Sequence, residues 1–501
     1  MKIEKDNNKS SLSKNDGTLK AGSWVVFGKL LSRIIDFALL LILGRILTPD
    51  DFGLVALAMA PVFIIEAVLS IPIAQAILSH PKVNRATYDT AFTLSIIRGL
   101  ILGTVLITLS FPMAQYFEDE RLTSLICVLA IAPILRGAIS PRIADYMRRM
   151  DFRPEFLMDL IGKITAFIIA AFIAYKTKSY WAIAATTVVA PIIMNVLSYI
   201  IAPYKPHFSM KDWPHFSDIL GWNTVSQILQ ATSWQADRIL LGRSISSTDL
   251  GRYTMAHEFS RFPHQIIARP ITGPIMASFS NSENEAVLKQ KLLSYTRNLF
   301  TVIAPIAVGI SLLSEPFIML TLGVSWITAA LYLKWLALAY VLAIPIIPLA
   351  PLALSKNKTI YIALRSFIEF AIKLPALIIG INLYGVWGAI GAGALAHFIT
   401  ILVSFKIIKE LCSATIREQV SGFFPCLLSL SILFFGVSWA APKNWSTFSP
   451  SQLFLWMTAL VIFGCLLYIT PLVTIWFMKG KPDGLETQII AILKKAPTRK
   501  R

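Results

Sequence analysis

Apolar runs of about twenty residues, separated by short polar breaks, recur along almost the whole chain. A run of that length crosses the hydrocarbon layer of a bilayer as a helix. Lipid offers the backbone no hydrogen bonds, so only helices or closed barrels can span it. The two-residue alternation of a barrel strand is absent. The sequence therefore predicts an all-α integral membrane protein. Composition agrees, since 55% of the 501 residues are hydrophobic and only 15% are charged, against about 25% charged in a soluble domain.

The runs predict about fourteen transmembrane helices, over 22–45, 51–78, 88–112, 121–145, 155–175, 180–203, 216–242, 249–279, 288–313, 326–354, 358–381, 385–408, 420–440 and 452–478. Alternate loops hold the lysines and arginines: HPKVNR, MRRMDFRPE, PYKPHFSMKDW, SKNK and the tail from Lys479 to Arg501. The intervening loops, QYFEDER and PKNWSTFSPSQ among them, are poor in both. The positive-inside rule then places both termini in the cytoplasm. The polar segment 1–21 lacks the apolar core of a cleavable signal, so the first spanning helix is expected to be its own insertion signal.

The chain also repeats itself once, at an offset of 198 residues. Residues 43–58, LGRILTPDDFGLVALA, align without a gap on 241–256, LGRSISSTDLGRYTMA. Leu43, Gly44, Arg45, Asp51, Gly53 and Ala58 fall on Leu241, Gly242, Arg243, Asp249, Gly251 and Ala256. The same offset pairs Trp24 with Trp222 and Pro72 with Pro270. Six helices lie between the copies, so both halves have the same orientation. The expected plan is a tail at 1–21, an N-lobe at 22–206, a C-lobe at 207–410, two further helices within 411–480 and a basic tail at 481–501. In the repeated turn, Thr48 or Asp50 is placed to cap the second helix, Pro49 presets φ, and Gly53 permits close approach.

Several functions are excluded. The formal charge of +18 is scattered over loops with no aromatic-interleaved patch, so no nucleic-acid partner is expected. No loop exceeds about 15 residues, which leaves no room for an extramembrane catalytic domain. Gly-rich phosphate loops and metal-ligand spacings are absent, so neither cofactor nor metal is expected, and the chain is read as a transporter rather than an enzyme. Cys127, Cys412, Cys426 and Cys465 lie in or beside apolar runs as packing residues.

Charges left inside predicted spans cost about 2.5–3.5 kcal/mol each at the bilayer centre unless they face a cavity or a partner. They fall into arrays. Lys29, Arg33 and Asp36 share one face of the first helix, and Arg98 and Arg136 lie on the third and fourth. Asp237 and Arg238 lie on the seventh. The eighth carries His257, Glu258, Arg261, His264 and Arg269, and the eleventh carries Arg365, Glu369 and Lys373. Arg33, Asp36, Arg98, Arg136, Arg238, His257, Arg261, His264, Arg365 and Lys373 are the candidate lining of a water-filled, net-basic cavity between the halves. Such a cavity suits an anionic substrate, because the guanidinium fork matches phosphate oxygens. The acids Glu66, Asp237, Glu258 and Glu369 are candidates for partial neutralisation or for binding a coupling ion. Structural alternatives stand beside these roles: Asp237 and Arg238 as an internal pair, the histidines as packed hydrogen-bonding residues. Pro61, Pro72, Pro263, Pro270, Pro345, Pro348 and Pro351 interrupt long helices, as fixed kinks or as bending points. Gly385, Ala389 and Gly393 form a small-residue face for helix packing.

The stretch from Gly22 to Ala58, with LGRILTPDDFGLVALA, resembles the opening of bacterial polysaccharide transporters. So does DRILLGRSISSTDLGRYTMAHEF at 237–259, followed by its proline-punctuated helix. These transporters form the O-antigen and exopolysaccharide flippase branch of the multidrug/oligosaccharidyl-lipid/polysaccharide exporter superfamily. The resemblance implies two parallel six-helix lobes in a V shape. It also implies alternating access, possible H⁺ or Na⁺ coupling, and an undecaprenyl-pyrophosphate-linked oligosaccharide as substrate, moved across the bacterial inner membrane. A polysaccharide polymerase and chain-length machinery would be the partners besides membrane lipid. The competing reading is a small-molecule or drug cation antiporter of the same superfamily. It predicts a smaller, more apolar cavity with one or two acids, and the many intramembrane arginines argue against it.

Overall fold

The computed structural model of the chain describes residues 28–69, 73–80, 83–217, 222–478, 480 and 487. The tail at 1–21, the start of the first helix with Trp24, Pro72, and the basic tail apart from Thr487 lie outside the described residues. Among those described, regular structure is helical throughout, with no strand. Nine helices among them are long and apolar enough to cross a membrane. The protein is a multi-pass, all-helical membrane protein.

The nine are α2 (Pro49–Val68), α4 (Arg85–Phe117), α8 (Arg153–Thr177), α9 (Trp181–Ile201), α14 (Glu285–Leu312), the broken helix over Val324–Ser355, α19 (Val386–Cys412), the stretch Ile416–Ala440, and α22 (Pro450–Met478). The other five predicted spans are interrupted or charge-laden. They correspond to α1 (28–46), α5–α7 (Arg121–Leu129, Ile131–Gly137 and Ile143–Arg148), α11 (Trp222–Ser244), α12–α13 (Ser247–Pro263 and Arg269–Ser280) and α18 (Ile360–Tyr384). These five spans carry all the predicted site residues except Glu66 on α2 and Arg98 on α4.

Some predicted single helices are broken. The span expected at 121–145 is three segments. The span at 249–279 is interrupted by a π-helical turn at His264–Ala268, directly after Pro263 and before Pro270. The span at 326–354 changes to a 3₁₀ turn at Ile344–Ile346, between α16 (Ile327–Val341) and α17 (Leu349–Ser355). In both latter cases closely spaced prolines remove amide donors, and the backbone changes its hydrogen-bond register there.

The chain divides into two compact units after Gly251. In the first unit, α8 and α9 pack along small residues. Gly162, Ala166, Ala170 and Ala174 recur every four positions on the buried face of α8, while Ile168 and Phe172 are exposed. That distribution suits a lipid solvent, where close approach of small residues drives helix association. Helix α11 packs along α2. The segment after α9 is tied to the start of α4: the Tyr204 hydroxyl donates to Asp89 (2.6 Å), and Thr87 donates to Asp212 (2.7 Å). In the second unit, Phe300 and Ile303 of α14, Leu352 of α17, Phe405 of α19 and Leu430 of α21 (Phe424–Ala440) share one buried apolar core.

The repeated turn is a repeated cap. Thr48 accepts from the Asp51 amide, and the Asp51 carboxylate accepts from the Thr48 amide (3.0 Å) and hydroxyl (2.6 Å). This is a capping box at the start of α2, with Pro49 in the first turn. At the offset of 198, Ser246 and Asp249 meet in the same way at the start of α12 (both contacts 3.2 Å). The two repeated glycines then meet each other. A Cβ on Gly53 would stand 1.8 Å from the Ser247 carbonyl oxygen, and one on Gly251 would stand 1.8 Å from that of Pro49. The small-residue face expected at Gly385, Ala389 and Gly393 is different: Ala389 is buried, but nothing lies within 4 Å of a Cβ at Gly385 or Gly393. Close approach falls instead between Gly380 of α18 and Gly388 of α19.

Candidate functional site

The predicted site residues fall into separate clusters on the charged helices. In the first unit, α1 meets α8. Asp36 accepts from Lys163 (2.9 Å) and lies 3.6 Å from Arg33. Lys163 also donates to Ser32, and Ser32 donates to Asp159 (2.8 Å). Two cations and two carboxylates balance here. Lys163 and Asp159 were not singled out from the sequence, although their i, i+4 spacing on a predicted helix was the available signal.

A second cluster joins α2, α4 and α6. The Glu66 carboxylate is ion-paired with Arg136. Arg98 donates through Nη2 to the Glu66 backbone carbonyl (3.5 Å). Its buried Nε has no hydrogen-bond partner among the described residues. These three side chains line a cavity of about 100 Å³ with Ser95, Gly99 and Gly137. Two guanidinium groups face one carboxylate, leaving an excess positive charge.

A third cluster lies in the second unit, around Tyr340 of α16. Arg261, at the end of α12, hydrogen-bonds the Tyr340 hydroxyl. The rings of His264 and His397 stand edge-on to that of Tyr340, with centroids 5.8 and 6.0 Å away. Arg365 lies 3.7 Å from Glu369 on α18. Arg261, Arg365, Glu369 and Lys373 all lie near enough to act electrostatically on His397. The π-helical turn carries His264 here, consistent with the frequent use of such turns at functional positions. Tyr340 and His397 escaped sequence reasoning because each is a lone polar residue in an apolar run.

The remaining predicted residues lie on α11 and α12. Asp237 and Arg238 are buried in α11, where Arg238 donates to Gln235 (3.4 Å) and its amide to Asp237 (3.2 Å). His257 stacks on Tyr253 of its own helix (6.0 Å), with Glu258 next in α12. Outside the membrane, Arg121 bridges Asp119 (2.7 Å) and Asp50 (2.9 Å), and Arg243 pairs with Glu118 (2.7 Å). The Arg121 hydrogen bonds hold the Asp119 carboxyl below the usual carboxylate range against the opposing effect of burial. The second unit also holds an almost wholly apolar groove of about 380 Å³ among α14, α15 (Ser314–Thr321), α21 and α22. Pro305, Gly309, Phe317, Val437, Gly464 and Tyr468 are in its lining.

Residues 42–331 match the family described as "Polysaccharide biosynthesis protein". The chain belongs to that family. It is 23% identical over 319 residues to the succinoglycan biosynthesis transport protein ExoT of Rhizobium meliloti (strain 1021). That match covers 63% of this chain and 65% of the relative's length. It is 22% identical to the teichuronic acid biosynthesis protein TuaB of Bacillus subtilis (strain 168), over 84% of this chain and 89% of that one. Among solved structures it is similar to the lipid II flippase MurJ in an inward closed conformation. The TM-score is 0.73 at 16% identity, covering 90% of this chain and 98% of MurJ. An inward-facing multidrug resistance MATE family transporter of the MOP superfamily follows, with TM-score 0.64 at 14% identity over 76% and 95% of the two chains. These structures share the fold, and the resemblance to bacterial polysaccharide transporters is borne out. The relatives and structural neighbours are transporters and flippases, not enzymes.

Proposed function

We propose that this chain is a flippase for a lipid-linked oligosaccharide. Its substrate is an undecaprenyl-pyrophosphate-linked repeat unit of an exopolysaccharide, O-antigen or capsule. It moves the unit from the cytoplasmic to the periplasmic leaflet of the bacterial inner membrane, with both termini cytoplasmic. Fourteen crossings form two parallel six-helix lobes and two added helices, and the lobes alternate access. The observation that carries this reading is the excess of cations over carboxylates at Glu66–Arg98–Arg136 within the membrane helices. Uncompensated cations are costly in lipid unless an anion visits them. A pyrophosphate headgroup supplies that anion, and the apolar groove between α14 and α22 offers a surface for its polyprenyl chain. A drug cation antiporter would need the opposite sign of charge. The acids Glu66, Asp237, Glu258 and Glu369 are the candidates for H⁺ or Na⁺ coupling. Polymerase and chain-length machinery would receive the product on the far side.

Deleting the gene should trap lipid-linked oligosaccharide on the cytoplasmic leaflet and abolish the corresponding surface glycan. Undiminished surface polysaccharide in the deletion strain would sink the flippase reading.

A further inference from the structure

Glu66 lies in the last turn of α2, and its carboxylate engages Arg136 of α6. Arg98 of α4 reaches the Glu66 backbone but leaves its own buried Nε without a partner among the described residues. A buried donor left unmet costs about 1–3 kcal/mol, and more when charged. That Nε belongs to a residue lining the cavity of about 100 Å³ that Glu66 and Arg136 also line. The framework around it is fixed by glycines. A Cβ on Gly99 would lie 2.8 Å from the Pro133 carbonyl oxygen, and one on Gly137 would lie 2.4 Å from that of Ser95. Helices α4 and α6 are therefore locked together backbone to backbone, and the placement of their two guanidinium groups is set by that contact.

The space is well above the ~10–15 Å³ that one water needs, and it has room for one tetrahedral oxyanion. A carboxylate already occupies one guanidinium, while the other keeps an unused donor. Arginine forks bind phosphate in the same bidentate way as they bind carboxylate.

We propose that Glu66 is a built-in surrogate anion: a phosphate group of the substrate displaces its carboxylate from Arg136 and is held jointly by Arg136 and the free Nε of Arg98. The proposal rests on the flippase reading and names the subsite that would take the phosphate. The carboxylate keeps the empty site from holding two unbalanced cations. It also competes with the bound phosphate, so the site grips the headgroup without trapping it. Glu66 is then a positioning and release residue rather than an ion-coupling one.

The test uses the full-length protein in phosphatidylcholine nanodiscs, titrated with farnesyl pyrophosphate and, separately, with inorganic pyrophosphate. Glu66→Gln removes the competitor's charge at constant shape and should tighten farnesyl pyrophosphate binding about tenfold. Arg136→Gln and Arg98→Gln should each weaken it about tenfold, the scale of one hydrogen bond to a charged group. Inorganic pyrophosphate should follow the same order of variants more weakly. Equal affinity for both probes would keep the site but assign it to free phosphate rather than a lipid headgroup. Thermal midpoints are read for every variant. If Arg136→Gln does not fold, Arg136→Lys keeps the charge without the fork and should still weaken binding. Weakening by Glu66→Gln, in parallel with Arg136→Gln, overturns the proposal, because Glu66 would then be a structural partner. So does wild-type affinity in all three variants, which leaves the flippase reading intact with its phosphate site elsewhere. A wild-type protein that binds neither probe, from a strain whose surface glycan survives deletion, defeats the flippase reading itself.

Discussion

Placing a methyl group on Gly53 forces two backbones apart. The new Cβ would stand 1.8 Å from the Ser247 carbonyl oxygen and 3.0 Å from the Gly251 amide. An ordinary contact needs at least 3.4 Å, so the start of α2 and the turn into α12 must part by about 1.6 Å. Neither obstacle is a side chain that could swing away. The turn is also pinned from both sides, by the Asp51 carboxylate on the Thr48 and Tyr180 amides and by the pairing of Arg243 with Glu118. Overpacking costs about 1–3 kcal/mol, and backbone against backbone belongs at the upper end. For a unit of this size, Gly53→Ala should lower the apparent melting midpoint in detergent by roughly 2–12 °C. Gly251→Ala should behave alike, since its Cβ meets the Pro49 carbonyl oxygen at the same 1.8 Å. The double variant should cost less than the two single costs added, because one separation relieves both clashes. Gly393→Ala is the control. Nothing lies within 4 Å of its Cβ, so it should be neutral or stabilising by about 0.4–1 kcal/mol. Melting of Gly53→Ala at the wild-type temperature, or strict additivity in the double variant, would refute the face-to-face contact of the repeated glycines.

Gly309→Leu places a large apolar side chain in the groove beside α22, where a Cβ meets nothing within 4 Å. It should reduce surface glycan in a complemented deletion strain while leaving inorganic pyrophosphate binding unchanged. Unaltered glycan output would remove the groove from the transport path. On the acid side, the folded-state pKa of Asp119 lies below its ordinary value because of Arg121. Its contribution is fully present above the unfolded carboxylate pKa of about 3.9 and is lost as pH falls through the lowered folded value. Asp119→Asn should therefore lower the melting midpoint at neutral pH, and the gap to wild type should begin to close only below about pH 4 and vanish once pH is below the lowered folded value, as read by melting curves across that range.

The legible part of this protein is what periodicity and local chemistry determine. Run length alone located the apolar helices, because lipid permits no other backbone solution for them. The cap at Thr48 was legible as one of two candidates with Asp50, because a Thr before Pro49 suits a helix start, whereas its reciprocal partner Asp51 was not singled out. Breaks within helices were less legible. Pro263 and Pro270 announced an interruption, but whether the backbone answers with a kink, a 3₁₀ turn or a π turn depends on neighbours distant in sequence. The same limit applied to the charges. Arg33 and Asp36 were visible as an array on one helix, whereas their partner Lys163 comes from another helix 127 residues beyond Asp36. Tyr340 and His397 became members of a cluster only when α12, α16, α18 and α19 were brought together. Pairing across helices is a tertiary property, and a one-dimensional pattern carries no record of it.

The repeat makes that division concrete. Its copies preserve a cap, Thr48–Asp51 and Ser246–Asp249, and a contact, Gly53 with Gly251. They also preserve fully buried packing positions, Leu43 with Leu241 and Ala58 with Ala256. Each of these is a structural solution that any helix start and close crossing would need twice. Most of the site charges do not follow, Arg136 on Lys334 being an exception. Arg33 falls on Ala231 and Asp36 on Trp234, and Arg98, with its unpaired Nε, falls on Thr296, whose hydroxyl donates to the Leu292 carbonyl of its own helix. If both halves held the substrate equally, selection for binding would have kept cations at matched positions. A headgroup with one end charged and the other end glycan and lipid has no such symmetry. An asymmetric set of cations on a duplicated frame is what recognition of such a molecule requires. The proposed phosphate subsite is therefore not copied whole: Glu66, Arg98 and Arg136 fall on His264, Thr296 and Lys334, so only the Arg136 position keeps a cation.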